Sequence, residues 1–172
     1  MSLVYYEGGL PPALTATTVA ATLARRVLPY FEHHFPGNDR PRRAIEAAEA
    51  FIRTATDARS LARCVGHGEM AGVLDDALYA KMAADRAFGD AVLAARRTPV
   101  GSREEAGLLS AAHAAGVAKS SACAAGCIRV SAPGFPAHVT IQSWMGPDYH
   151  QRQAEYRAGE ADRYWALFTS RA

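Results

Sequence analysis

Apolar side chains recur at three- and four-residue spacing along most of the chain, and clusters of proline and glycine cut that pattern into segments. Residues 1–14 carry Gly8-Gly9 and Pro11-Pro12 and are expected to form an irregular lead-in. Hydroxyls at Thr15–Thr18 offer N-caps for a first helix that ends near His34, with an apolar stripe of Val19, Leu23, Val27, Tyr30 and Phe31. Pro29 lies within that helix, removes one backbone hydrogen bond, and predicts a kink or a split. After the turn Pro36-Gly37-Asn38, Asp39 can cap a second helix with Pro41 in its first turn and Ile45, Ala48, Phe51 and Ile52 apolar. Arg42/Glu46 and Glu49/Arg53 have the i,i+4 spacing of ion pairs on its solvated side. Asp57 predicts a separate short helix through Cys64, ended by Val65-Gly66-His67-Gly68.

A longer helix is predicted from about Glu69 to Arg97, with Val73, Ala77, Leu78, Met82, Val92 and Leu93 apolar and Gly89 a candidate interruption. Thr98-Pro99-Val100-Gly101 breaks the pattern, and Ser102-Arg103-Glu104-Glu105 then matches a capping box. The helix that starts there is expected to reach about Val130. Its small residues (Ala112, Gly116, Ser120, Cys123, Gly126, Cys127) recur every three or four positions, so neighbouring helices can approach closely and it belongs at the centre. Residues 131–147, bounded by Pro133-Gly134-Phe135-Pro136 and Met145-Gly146-Pro147, read as a loop insertion with an extended segment or one short strand near 137–144. A last helix over about Asp148–Thr169 is rich in aromatic residues. The fold class is all-α: a single-domain bundle of about five to six helices over residues 1–172.

Composition agrees. The 172 residues suit one domain, and 49% hydrophobic with 21% charged is a globular balance whose apolar share is largely alanine. A net charge of +2 gives no strongly basic face for nucleic acid. The opening residues MSLVYYEGGLPP do not form a secretory signal, and no uncharged apolar run is long enough to span a membrane. Three cysteines (Cys64, Cys123, Cys127) without such a signal are expected to be reduced thiols, and the cytoplasm is the expected compartment.

The segment Val27–Arg53, VLPYFEHHFPGNDRPRRAIEAAEAFIR, carries a "VLPxFE" helix end, a short turn and a "DRPRxAIEA" helix start. The matching residues are Val27, Leu28, Pro29, Phe31, Glu32, Asp39, Arg40, Pro41, Arg42, Ala44, Ile45, Glu46 and Ala47. In this the chain resembles the immunity proteins of bacterial polymorphic-toxin systems. The resemblance implies an all-helical domain that binds and neutralises a protein partner, a toxin. Phe51 stands where relatives usually carry Trp, and Lys119, Ser120 and Cys123 stand where their central helix often shows histidines.

Several groups of residues are candidates for function, each with a structural alternative. Arg40, Arg42 and Arg43 put three cations in the first turn of a helix, against its dipole. They either tie the turn to the preceding helix through Glu32, Asp39 and Glu46, or form a site for an anion or an acidic partner. Phe135, His138, Gln142, Trp144, Asp148, Tyr149 and His150 suit a binding surface or lid on a hinged loop, or simply close one end of the bundle. His67 and Glu69 form a polar turn, and with His113 and His138 they are the acid–base candidates if the protein is an enzyme. His113 and Lys119 fall on different faces of the central helix. Cys123/Cys127 and Cys64-x-x-His67 are better read as thiols than as metal ligands, so neither metal nor cofactor is expected. Nucleotide loop, nucleophile-elbow, HExxH and EF-hand patterns do not occur in the sequence.

Two functions compete. One is a protein-binding, immunity-like module. The other is a small cofactor-independent cyclase, lyase or isomerase, holding an apolar metabolite in a cavity between helices. A scaffold or homo-oligomerisation role is compatible with either.

Overall fold

The computed structural model describes residues 5–7, 10–60, 67–126, 129–131 and 146–170, with side chains over 12–56, 70, 72–126 and 146–170. Within these residues the chain forms five helices: α1 Leu10–His34, α2 Arg40–Ser60, α3 His67–Arg96, α4 Arg103–Ala125 and α5 Pro147–Thr169. Two three-residue strands, β1 Tyr5–Glu7 and β2 Arg129–Ser131, pair antiparallel with Tyr6 opposite Val130. The expected all-α bundle is the observed one. Its extended segment near 137–144 lies outside the described residues, and the strands stand elsewhere.

Local chemistry accounts for the departures from expectation. α1 begins at Leu10, because Pro11 and Pro12 fall in a first turn whose N–H groups have no helical acceptor. The threonines are therefore inside the helix and not caps; the Thr17 and Thr18 hydroxyls donate to the Ala13 and Leu14 carbonyls, each at 2.7 Å. α1 also continues through Pro29 as one element. α2 runs through Asp57 to Ser60, so no separate short helix starts at Asp57, and α3 continues through Gly89. α4 stops at Ala125 and not near Val130, with the Gly126 N–H donating to the Ala122 carbonyl at 3.1 Å.

The two i,i+4 pairs expected on α2 give way to bonds with α1. Glu49 accepts a two-pronged contact from Arg25 at 2.6 and 3.1 Å, and Arg42 reaches Glu32 at 2.7 Å. A fork between helices makes two bonds at once, whereas an i,i+4 surface pair contributes only about 0.2–0.5 kcal/mol. α1 is clamped to α5 in a similar way. Arg26 and the Tyr30 hydroxyl both donate to Asp162, and Tyr30 stacks on Trp165 at 4.5 Å.

α4 is the central helix, packed against α1, α2, α3 and α5. Sixteen of its 23 residues are buried, as befits a helix with no solvent side. Its start is fixed by the expected cap: the Glu105 N–H donates to Ser102 Oγ at 3.1 Å, while Glu105 Oε1 accepts from the Gly101 N–H at 3.0 Å. Gly101 has φ +76°, which a side chain would disfavour. The core around α4 is mostly alanine, with Phe31, Phe51, Ile45, Met70 and Leu74 as its large members.

Two glycines of α4 lie at close approaches, and they should respond differently to Ala. A Cβ on Gly107 would sit 2.5 Å from His34 Nε2 and 2.7 Å from Phe168 Cδ2, between two packed rings. A Cβ on Gly116 would meet only the flexible Arg157 side chain, at 2.7 Å from Cδ. Ala gains about 1 kcal/mol in helix propensity, and overpacking costs about 1–3 kcal/mol. Urea unfolding should therefore show Gly107→Ala destabilised by about 1–2 kcal/mol and Gly116→Ala within about 1 kcal/mol of the parent. Equal losses at both sites would contradict this packing.

Candidate binding surface

The turn into α2 brings the three arginines onto carboxylates. Asp39 holds the position just before the helix, where its carbonyl accepts the Arg43 N–H at 2.9 Å. The side chain that caps the turn is Asn38, whose Oδ1 accepts from the Arg40 N–H at 3.2 Å and from Arg40 Nε at 3.0 Å. Arg43 Nε lies 2.7 Å from Asp39, Arg42 bonds Glu32, and Arg40 reaches across to Asp90 on α3 at 2.7 Å. Glu46 takes part in none of these pairs. The unfavourable placement of three cations at a positive helix end is thus offset by three carboxylates, each partly exposed and worth at most about 1 kcal/mol.

Arg40 and Arg43 also lead onto the outer side of α2 and α3. Arg43, Glu46, Ala47, Ala50, Asp76, Tyr79, Ala80 and Ala83 line a shallow groove of about 430 Å³ between these helices. Tyr79 on its wall is 70% exposed, and along α3 Met82 is 44% and Leu93 49% exposed. The sequence reading places Met82 and Leu93 among the apolar positions of α3 expected to face inward, and the structure corrects this. Alanines (Ala77, Ala84, Ala87, Ala91, Ala95) with Met70 and Leu74 fill the buried side of α3, Val73 and Phe88 pack partly buried against the core, and Tyr79, Met82 and Leu93 point away. A periodicity count that weights Ala equally with Leu would have found that side.

Of the acid–base candidates, His113 is the one whose side chain lies within the described residues. His67 opens α3 and Glu69 lies in its first turn, but their side chains are outside what the structure describes, as is all of His138. His113 is packed between α4 and α5, stacked on Tyr164 at 5.7 Å, with its Nδ1 buried and without a partner among the described residues. Burial, and then the nearby Arg157, hold its pKa below the ordinary imidazole value. Lys119 faces the other way and pairs with Asp85 on α3 at 2.7 Å, which lowers the Asp85 pKa. Burial pushes the Cys123 thiol up to about 11, so it is no nucleophile at neutral pH. Cys64 and Cys127 lie outside the described residues.

A larger groove of about 580 Å³ lies where α4 begins and α5 ends, lined by residues including Arg103, Glu105, Tyr164 and Leu167. A smaller one of about 370 Å³ lies over the turn 36–39, with Glu32 and Arg42 on its walls. None of these three grooves is lined by a histidine. Among the described residues, no group of three or more His, Cys, Asp or Glu is placed to hold a metal ion, and no helix is long and apolar enough to cross a membrane.

Of the hinged-loop candidates, Phe135, His138, Gln142 and Trp144 lie outside the described residues. Asp148 is exposed in the first turn of α5. Tyr149 is 36% exposed and meets His150 edge-on at 5.2 Å, while His150 itself is buried. Tyr149 is well away in sequence from the α2–α3 surface, and the ion-pair partners of Arg40, Arg42 and Arg43 are Asp90, Glu32 and Asp39.

No curated protein and no solved structure gives a significant match to the chain. Residues 15–96, which run from the first turns of α1 to the last residue of α3, match the model of the family described as Imm-5 like putative immunity protein, in keeping with the resemblance of the Val27–Arg53 motif.

Proposed function

We propose that this chain is an immunity-like protein that neutralises a protein partner, such as a toxin, by binding it directly. The observation that carries this reading is the placement of Tyr79, Met82 and Leu93 on the outside of α3, within the family-matched span, while the inside is filled by alanines with Met70 and Leu74. An isolated exposed hydrophobic residue is ordinary, but a row of them on one helix face is the composition of a contact surface. Co-expression of the tagged chain with the products of its flanking genes tests the reading. A stable complex, together with relief of any growth defect the partner causes, is the expected result. Failure of every flanking product to bind would overturn it.

A further inference from the structure

We propose that the outer face of α3 docks an acidic protein surface, an assignment that rests on the binding role above. At about 3.6 residues per turn, Tyr79, Met82, Arg86, Asp90 and Leu93 fall within an arc of about 80° along roughly 21 Å of helix. This arc is opposite the one that carries the buried alanines. Three exposed cations, Arg86, Arg96 and Arg97, accompany the apolar positions, and none has an ion-pair partner among the described residues. The carboxylates of the same stretch are already engaged: Asp85 by Lys119 and Asp90 by Arg40, each at 2.7 Å.

The C-terminal half of α3 therefore keeps an uncompensated positive charge. Asp75 and Asp76 lie at the other end of the helix, roughly 15 Å of helical rise before Arg86. That exceeds the screening length of about 8 Å at physiological salt, so they do not cancel it. Arg96 and Arg97 near the end of α3 also suit its dipole, but Arg86 in mid-helix has no such structural reason. Tyr, Met and Arg are the residue types enriched in the centres of protein interfaces, and arginine forks match carboxylates in geometry. Nucleic acid fits less well, because a phosphate backbone has nothing to set against Tyr79, Met82 and Leu93.

The test uses the full chain, co-expressed with its flanking-gene products and captured in complex. Three exposed-site variants address the face: Arg86→Glu with Arg97→Glu, Leu93→Asp, and Tyr79→Ala. Arg152→Glu, exposed on α5, controls for net charge. Circular dichroism checks that each variant stays folded. The inference expects each face variant to weaken the complex by about tenfold or more, added salt to weaken the parent complex, and the α5 control to bind normally. A complex that tolerates all the face variants would overturn this surface and leave the binding role standing; no complex with any flanking product would overturn both. Light scattering showing a dimer of the chain alone that Leu93→Asp dissociates would make a second copy the occupant. A duplex oligonucleotide retained by the parent and released by the double arginine variant would make it nucleic acid. Either result overturns the acidic protein.

Discussion

Phe31→Ala is expected to lose about 3–5 kcal/mol of stability, the largest effect of any single substitution considered for this protein. Phe31 is fully buried on α1 and stacks on Phe35 at 5.0 Å. The size of the loss depends on whether neighbours can close the cavity. Here the surrounding cluster is mostly alanine (Ala20, Ala24, Ala44, Ala111, Ala114, Ala115), and a lone methyl has no rotamer that reaches into a void. For a domain of this size the loss converts to a fall in Tm of about 6–20 °C. Thermal and urea unfolding would check it, and a loss below about 1 kcal/mol would show that the bundle collapses around the gap.

Acid is expected to destabilise the protein through His150 before most carboxylates titrate. The ring is 3% exposed at the start of α5, and its Nε2 has no partner among the described residues. Burial, and then the positive charges of Lys119 and Lys81, push its pKa down to about 4. The unfolded chain holds this proton with the ordinary affinity, near 6.5, so between the two values it binds more protons than the folded chain. Stability is then full above about pH 6.5 and declines as pH falls toward 4, by about 3 kcal/mol in all from this group. His113 and His34 are shifted in the same direction, mainly by burial, and add to the slope. Urea midpoints from neutral pH down to about 4.5 should fall for the parent and flatten for His150→Phe, which fills the space without taking a proton. Parallel curves for the two proteins would sink this assignment.

Much of the fold was legible in the sequence because helix boundaries here are chemically marked. Ser102 and Glu105 make the start of α4 unmistakable, Pro147 opens α5, and Pro36-Gly37 ends α1. Misreadings came where one residue type has two uses. Thr17 and Thr18 can cap a helix or bond back within one, and only the earlier start at Leu10 decides which. Prolines at 11 and 12 look like breakers but are harmless in a first turn. Glu46 and Arg53 have the right spacing for pairs on α2, yet Arg42 and Glu49 found partners on α1 that no spacing rule within one helix could reveal. The Arg40–Asp90 contact likewise joins residues fifty positions apart.

The candidate surface was less legible. Arg40 and Arg43 were visible as a cluster, but Tyr79, Met82 and Leu93 were concealed by the habit of assigning large apolar side chains to the interior. Along α3 alanine inverted that habit, since close helix packing there takes small side chains over most of the buried side.

An interior of nearly identical methyl groups has a further consequence for how α4 finds its place. Sliding the helix along its axis by one turn would set mostly small residues (Ala, Gly or Ser) where small residues were, so many of its contacts distinguish poorly between neighbouring alignments. Alignment is decided instead by a few singular points. Gly107 fits only beneath His34 and Phe168, Ser110 Oγ donates to the Ala161 carbonyl at 2.7 Å, and Ser102 closes the first turn. All three lie at the N-terminal end of α4, from its cap at Ser102 to Ser110. Further along, the Lys119–Asp85 pair at 2.7 Å ties the second half of α4 to α3, so the helix is pinned at a few points rather than along its length.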